Sequence, residues 1–501
     1  MTNMLILEKN FDFSKTRPHR LDFSNFNITE FGKLLREKDE KFWREIGEKR
    51  ALKLFHSVAA RVPAYQDFLR RRKVSVEKIK TIKDFAFVPI IDKKNYINAY
   101  PLKDRSWDGR LERNKLIAAS SGSTGAPIFW PRGEYQEFEA AVIHELIYRY
   151  LFDIHKYKTL LVVGFPMGVY VSGLATVIPS LLISQKNYNL TIAAPGTNKD
   201  EILRIVKVLG RDYEQVVLTG HPFFIKDVLE SGVEDDVKWR SLRLKVMLCS
   251  EGFSEKWRKY VLGAAGLAVD KPLSIVSTYG SSEFLLMAHE TRDSLALKNK
   301  LEEKAGGLDG VFQYNPLFRY IEEEKGGLIF TAASGLPLIR YDLKDRGRII
   351  TGEQAKGEFS LKQPRWNLPF VTLVGRSDQA VVFYAANIYP EHIKSALNHP
   401  PFFKKLTGRF VMSKDYTPKM EEFLEINVEL RKNIKSDLKL TNIVKEQVDG
   451  YLKKVNKEYL NSFNYAKTNI TPRIHLKSYQ DPKYFKPGLK PRYVSLLRHL
   501  P

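Results

Sequence analysis

Only one cysteine, Cys249, occurs in 501 residues. That excludes disulfides within the chain and zinc sites built on cysteine thiolates, and it fits a reducing compartment. The opening stretch Met1–Lys9 has neither a basic leader nor an apolar core long enough for a secretion signal, so cytoplasm is the expected location. No internal repeat, no low-complexity tract and no G-x-x-x-x-G-K-[ST] phosphate loop is present. Charge is missing altogether from 159–185, but Gly164, Pro166, Gly168, Gly173 and Pro179 interrupt that run. A buried strand, a turn and a short buried helix are expected there, and no membrane span.

The length calls for two or three domains. An apolar share of 43% with 12% aromatics is ample for globular packing. Lys and Arg number 81 against 58 Asp and Glu, a net charge of +23. The basic residues are scattered and never alternate regularly with aromatics, which favours a phosphate-rich small substrate or a basic proteome over nucleic acid.

The first hundred residues read as a helical layer. Apolar residues recur at helical spacing from Lys41 to Val62, Pro63 closes that helix, and a second runs from Tyr65 to Arg72. Strands are expected at Lys115–Ala119, Leu160–Val163, Asn189–Ala193, Gln215–Thr219, Leu244–Cys249 and Leu273–Thr278. Helical patterns alternate with them, the clearest being Glu201–Leu209 capped by Asn198. Alternation of this kind predicts an α/β fold with a mostly parallel sheet flanked by helices. Short strands after Gly310 predict a small β-rich subdomain. Beyond Gly375–Asp378 the strand Phe423–Glu429, the helix Leu438–Asn456 and the strand Arg473–Leu476 predict a small α+β domain. The expected division is therefore 1–374, with a helical lead over 1–100 and the β-rich part over 310–374, followed by 375–501.

Several loops carry chemistry. Ser120-Ser121-Gly122-Ser123-Thr124-Gly125-Ala126-Pro127 follows a strand, and its glycines and hydroxyls suit a polyphosphate. Tyr279-Gly280-Ser281-Ser282-Glu283 joins an aromatic ring, a turn and a carboxylate that can bind magnesium. Ser250-Glu251-Gly252 ends the preceding strand, Asp345 suits a vicinal diol, and Lys486 and Lys490 sit on a Gly/Pro loop. Each alone is equally an ordinary turn or a solvated charge.

In this order, together with Val62-Pro63-Ala64-Tyr65, Val88-Pro89-Ile90-Ile91-Asp92-Lys93, Pro337-Leu338-Ile339-Arg340-Tyr341 and Asn387-Ile388-Tyr389-Pro390, they resemble the adenylate-forming superfamily. The likeness is greatest to the phenylacetate-CoA ligase-like branch of acyl-CoA synthetases, and it runs from about Phe42 onward. The resemblance implies that a carboxylic acid is activated by ATP and Mg²⁺ as an acyl-adenylate and passed to coenzyme A. An amine or a carrier protein is the alternative acceptor, and a nucleotide-binding homologue without turnover the further alternative. It implies that Ser120, Ser121, Gly122, Ser123, Thr124 and Gly125 hold phosphates. Ser250, Glu251 and Tyr279 would frame adenine, Gly280 and Ser282 would belong to the same nucleotide-binding set, and Glu283 would bind Mg²⁺. Asp345 would hold the ribose hydroxyls, Arg376 would reach the ribose or a phosphate, and Asp378 would be the hinge of a mobile C-terminal domain. Lys490, or else Lys486, would be the adenylation lysine, with Thr124 and Glu283 beside it in catalysis. The chain departs from the pattern at Ala126, where a lysine is usual, at Leu343-Lys344, at Ala385 in place of glycine, and at Gly488-Leu489-Lys490.

Overall fold

The buried strands of the central sheet carry unbroken apolar runs because both of their faces are covered. In Thr159–Gly164, Leu161 and Val163 face one core while Leu160 and Val162 face another, and Val216, Val217 and Leu218 divide in the same way. Successive strand side chains point to opposite faces, so an unbroken apolar run signals helices on both sides. The computed structural model describes residues 23–113, 116–120, 128–305, 308–466, 469–485 and 493–494.

The sheet has nine strands, in the order Ile349–Ile350, Phe370–Leu373, Gly310–Tyr314, Leu285–His289, Ile275–Ser281, Lys245–Leu248, Gln215–Gly220, Thr159–Gly164, Leu190–Ala193. From Ile275–Ser281 to Leu190–Ala193 the pairing is parallel, and on the other side of Ile275–Ser281 it is antiparallel. The β-rich stretch 310–374 is thus shared between two sheets. Gly310–Tyr314 and Phe370–Leu373 extend the large one, while Tyr320–Glu324, Gly327–Ala332, Leu338–Arg346 and Gly375–Arg376 form a separate four-stranded antiparallel sheet.

The charge-free run resolves into the strand Thr159–Gly164 and the helix Val171–Ser184. Among the described residues no helix is long and apolar enough to cross a membrane. The helical lead is present as Ile28–Glu37, Glu40–Arg61 and Pro63–Arg71, with Asp39 capping the second through Phe42 N–H at 2.7 Å. Arg50 on that helix and Arg319 both bind the buried Glu139 carboxylate, which fastens the lead to the helix Glu134–Tyr150. Further on, Ile91 pairs with Tyr341, and the Arg340 guanidinium donates to the carbonyls of Phe85 and Val88 at 2.8 and 2.7 Å. This docking delivers the stretch around Lys93 to the edge of the four-stranded sheet.

After Gly375–Arg376 comes the hairpin Val381–Phe383/Ala386–Ile388. The sheet Leu406–Tyr416, Glu422–Leu430 and Arg473–Lys477 follows, covered by the helix Leu438–Val455. The hairpin turn has Tyr384 at φ 49° and Ala385 at φ 60°. Two consecutive positive angles are those of a type I′ turn, in which glycine is the unstrained residue. Ala385 holds that conformation with its N–H bound to Glu251.

Candidate functional site

Strand ends of the large sheet, the edge of the four-stranded sheet and the 381–388 hairpin enclose a cleft of about 2270 Å³. Ser120, Ser250, Glu251, Tyr279, Gly280, Ser282, Glu283, Asp345 and Arg376 all line it, although they come from five separate stretches of the chain. Ser121, Gly122, Ser123, Thr124, Gly125 and Ala126, and likewise Lys486 and Lys490, lie outside the described residues.

Leu116–Ser120 pairs antiparallel with Ile128–Arg132. Ser120, at the end of the first strand, accepts a hydrogen bond from Trp130 Nε1 at 2.8 Å. Across the cleft the sheet bulges between Tyr279 and Gly280. A Cβ on Gly280 would stand 2.8 Å from the Leu285 carbonyl oxygen, so only glycine allows the turn that brings Glu283 inward.

One network runs along the floor. The Tyr279 hydroxyl donates to Asp345 Oδ2 at 2.6 Å, and Arg376 Nη1 donates to Asp345 Oδ1 at 2.9 Å. The same guanidinium forks onto Asp378 at 3.0 and 2.8 Å and donates to the Leu343 carbonyl at 2.9 Å. Each Asp345 oxygen keeps a lone pair after these bonds, so a diol can still be bound. Burial pushes the Asp345 carboxyl up from its ordinary value while Arg376 pulls against it. The Tyr279 ring is buried and stacks on Phe312 with centroids 5.8 Å apart, and burial raises its hydroxyl well above the ordinary value. Tyr279 therefore aligns Asp345.

Glu283 is buried, with Lys93 Nζ 3.6 Å from its Oε1 and the Tyr341 hydroxyl at 3.4 Å. Burial lowers the Lys93 ammonium, and Glu283 together with Tyr389 and Glu458 more than offsets it, so the net direction is up and Lys93 is a cation. In the sequence Lys93 only closes the stretch Val88-Pro89-Ile90-Ile91-Asp92-Lys93, and nothing local assigns it a role. Its meeting with Glu283 spans 190 residues of chain and leaves no local signal. Among the described residues no group of three or more His, Cys, Asp or Glu side chains is placed to hold a metal ion. A lone buried carboxylate suits Mg²⁺ that arrives on phosphates and keeps several of its own waters.

Ser250 stands at φ 83°, a strained angle for a residue with a Cβ. Glu251, expected beside adenine, lines the cleft with its carboxyl turned to the C-terminal part of the chain. It accepts from Ala385 N–H and meets Glu422. Glu422 in turn accepts from Lys414 Nζ at 2.9 Å, Tyr416 Oη at 3.1 Å and Tyr384 N–H at 3.2 Å. Burial and the Glu422 charge push the Glu251 carboxyl up to about 8. Its folded value lies above its unfolded one, so the stabilisation is complete below about pH 4.5 and is lost as pH rises through about 8. Glu251→Gln keeps the contacts without the charge. Its thermal midpoint should match the wild type at pH 5 and exceed it by about 2–4 °C at pH 9, measured by calorimetry. Equal midpoints at both values would refute the raised Glu251 carboxyl.

No family model matches the chain, and no curated protein sequence does. Solved structures do. The 2-hydroxyisobutyryl-CoA ligase bound to 2-HIB-AMP and CoA in its thioesterification state superposes with a TM-score of 0.62 at 15% identity, over 92% of this chain and 91% of that one. Its postadenylation state with R3-HIB-AMP gives 0.52 at 15% identity, over 89% of each chain. Its open form gives 0.51 at 15% identity, over 89% and 91%. The chain therefore has the fold of 2-hydroxyisobutyryl-CoA ligase over nearly its whole length.

Proposed function

We propose that this chain is an adenylate-forming ligase of the phenylacetate-CoA ligase-like branch. It activates a carboxylic acid with ATP, releases pyrophosphate and transfers the acyl group to coenzyme A. One observation carries the reading: Ser120, Tyr279, Glu283, Asp345 and Arg376 line a single cleft. Asp345 would take the ribose hydroxyls, held in place by Arg376 and Tyr279. Magnesium, which Glu283 would hold, supplies charge neutralisation on the phosphates. Lys93, next to Glu283, would place a cation where negative charge gathers as the acid oxygen attacks the α-phosphorus, the assistance expected of an electrostatic stabiliser. No protein nucleophile is required, because positioning and electrostatics suffice for attack on an activated phosphorus. Lys93 would also offset part of the charge lost where Ala126 replaces the usual lysine.

The position of the C-terminal part supports a two-stage cycle. The 381–388 hairpin faces the cleft through the bond between Ala385 and Glu251, and Asn461 Nδ2 donates to the Tyr170 hydroxyl at 2.5 Å. Agreement is better with the thioesterification state of 2-hydroxyisobutyryl-CoA ligase, 0.62, than with its postadenylation and open states, 0.52 and 0.51. The arrangement described would thus be the one for acyl transfer. Adenylation would need the part beyond Asp378 to swing and carry the Lys490 loop inward.

The test is exchange of labelled pyrophosphate into ATP across a panel of carboxylic acids, followed by acceptor consumption. Acid-dependent exchange and thioester formation with coenzyme A are the expected results. ATP binding without exchange for any acid would refute turnover, and consumption of the adenylate only by amines or a carrier protein would reassign the acceptor.

A further inference from the structure

Among the described residues, seven side chains of the cleft wall are both polar and buried: Glu251, Glu283, His144, Thr176, His221, Thr278 and Ser462. The two glutamates are described above, and Ser462 Oγ donates to the Tyr384 carbonyl of the C-terminal hairpin at 2.6 Å. The other four share a feature that nothing in the adenylation chemistry requires, which is that each has already spent its proton inside the protein.

His144 lies within the helix Glu134–Tyr150, and its Nδ1 is 2.7 Å from the Ala140 carbonyl oxygen. A carbonyl can only accept, so Nδ1 carries the hydrogen. Burial lowers this ring to about 4, so it is neutral near pH 7 and Nε2 presents a bare lone pair. Thr176 Oγ1 donates to the Ser172 carbonyl at 3.0 Å, and Thr278 Oγ1 donates to the Leu248 carbonyl at 2.8 Å. The His221 ring is held by the Cys249 backbone in a bond that favours its N–H, while its Nδ1 meets no partner among the described residues. Phe165, whose ring meets that of His221 with centroids 5.3 Å apart, and Met247 add apolar surface to the cleft. Every hydrogen bond that this wall can still make is one in which it accepts.

From this we infer, resting on the adenylation reading, that the acid is uncharged beyond its carboxylate and bears a hydroxyl at the far end of its acyl group, which donates to His144 Nε2. The remote position follows from the helix. Gln136 Nε2 donates to the Glu283 carbonyl at 3.1 Å, and His144 lies eight residues further along, about 12 Å at the helical rise. A hydroxyl next to the carboxylate would fall short of this wall. A second carboxylate or a keto group brings only lone pairs and is rejected, because a buried acceptor facing acceptors loses its solvation without return.

The test compares kcat/KM for pyrophosphate exchange among 3-(4-hydroxyphenyl)propanoate, its 4-methyl isostere and its 4-carboxylate analogue, and between 6-hydroxyhexanoate and hexanoate. The wild type should prefer each hydroxy acid over its partner by about 10- to 100-fold. His144→Phe should bring the hydroxyl-to-methyl ratio to about 1, and His144→Gln, which keeps an acceptor, should retain most of the preference. A ratio taken within one variant is independent of the fraction folded. A wild-type preference for the methyl or carboxylate acid, or an unchanged ratio in His144→Phe, would overturn the inference. Binding of the same acids, read by thermal shift without ATP, separates the two claims. A hydroxyl preference in binding with no exchange would leave the pocket as described and refute adenylation, whereas exchange without a hydroxyl preference would do the reverse.

Discussion

Replacing Glu283 with Gln is expected to lower acid-dependent pyrophosphate exchange by about 10²- to 10³-fold, the usual cost of removing one group that stabilises developing charge. The substitution keeps the side-chain shape, and the backbone bond from Gln136 to the residue 283 carbonyl is untouched. What goes is a buried negative charge 3.6 Å from the Lys93 ammonium. Two effects then act in the same direction. On the proposed reading the magnesium that accompanies ATP would lose its protein carboxylate, and Lys93 would be left partly buried without that counter-charge. The diagnostic sign is a shift of the magnesium dependence of exchange to higher concentration, with far-ultraviolet circular dichroism unchanged. Exchange at the wild-type rate and with the wild-type magnesium dependence would remove Glu283 from the site.

The second large effect belongs to Lys490. Its replacement by Ala is expected to reduce adenylation by about 10²- to 10³-fold while thioester formation from a supplied acyl-adenylate proceeds near the wild-type rate. The residues on either side of its loop explain the asymmetry. Phe485 is buried with Arg409 over its ring at 5.4 Å, and Tyr493 packs on Phe410 at 4.9 Å while its N–H donates to Gln379 at 2.9 Å. Both attachments are to the part of the chain that follows Asp378. On the proposed two-stage cycle a lysine between them would serve the arrangement in which that part has turned, so one half-reaction would fail and the other survive. Should Lys486→Ala give this split instead, the lysine is reassigned. Equal loss of both half-reactions in Lys490→Ala would refute the two-stage cycle.

Much of the fold is legible along the chain because its signals are local. Asn198 caps the helix Lys199–Leu209 by accepting from Glu201 N–H at 3.1 Å, as the spacing indicates. Glu40–Arg61 ends before Pro63 within one residue of its expected limits. The parallel strands announce themselves as short apolar runs. The antiparallel continuation through Leu285–His289 and Gly310–Tyr314 was less visible, since the direction of pairing depends on how the chain returns and not on which residues form the strand. The roles around Glu251 were hidden for the same reason. Nothing near residue 251 announces Glu422 or Ala385, and the carboxyl expected at a nucleotide base is occupied by a hairpin more than a hundred residues away.

The amino-acid order by itself settled which loops carry hydroxyls, glycines and carboxylates, and that they follow strands in an α/β chain. These are properties of short segments, governed by side-chain chemistry and by which backbone angles glycine permits. Only the folded molecule decided that Lys93 stands beside Glu283, that Arg376 ties Asp345 to Asp378, and that the protons of the His144 wall are already committed. Charge pairing and hydrogen-bond donation are settled by distances of a few ångströms between groups remote in sequence, and packing fixes those distances where no local pattern can.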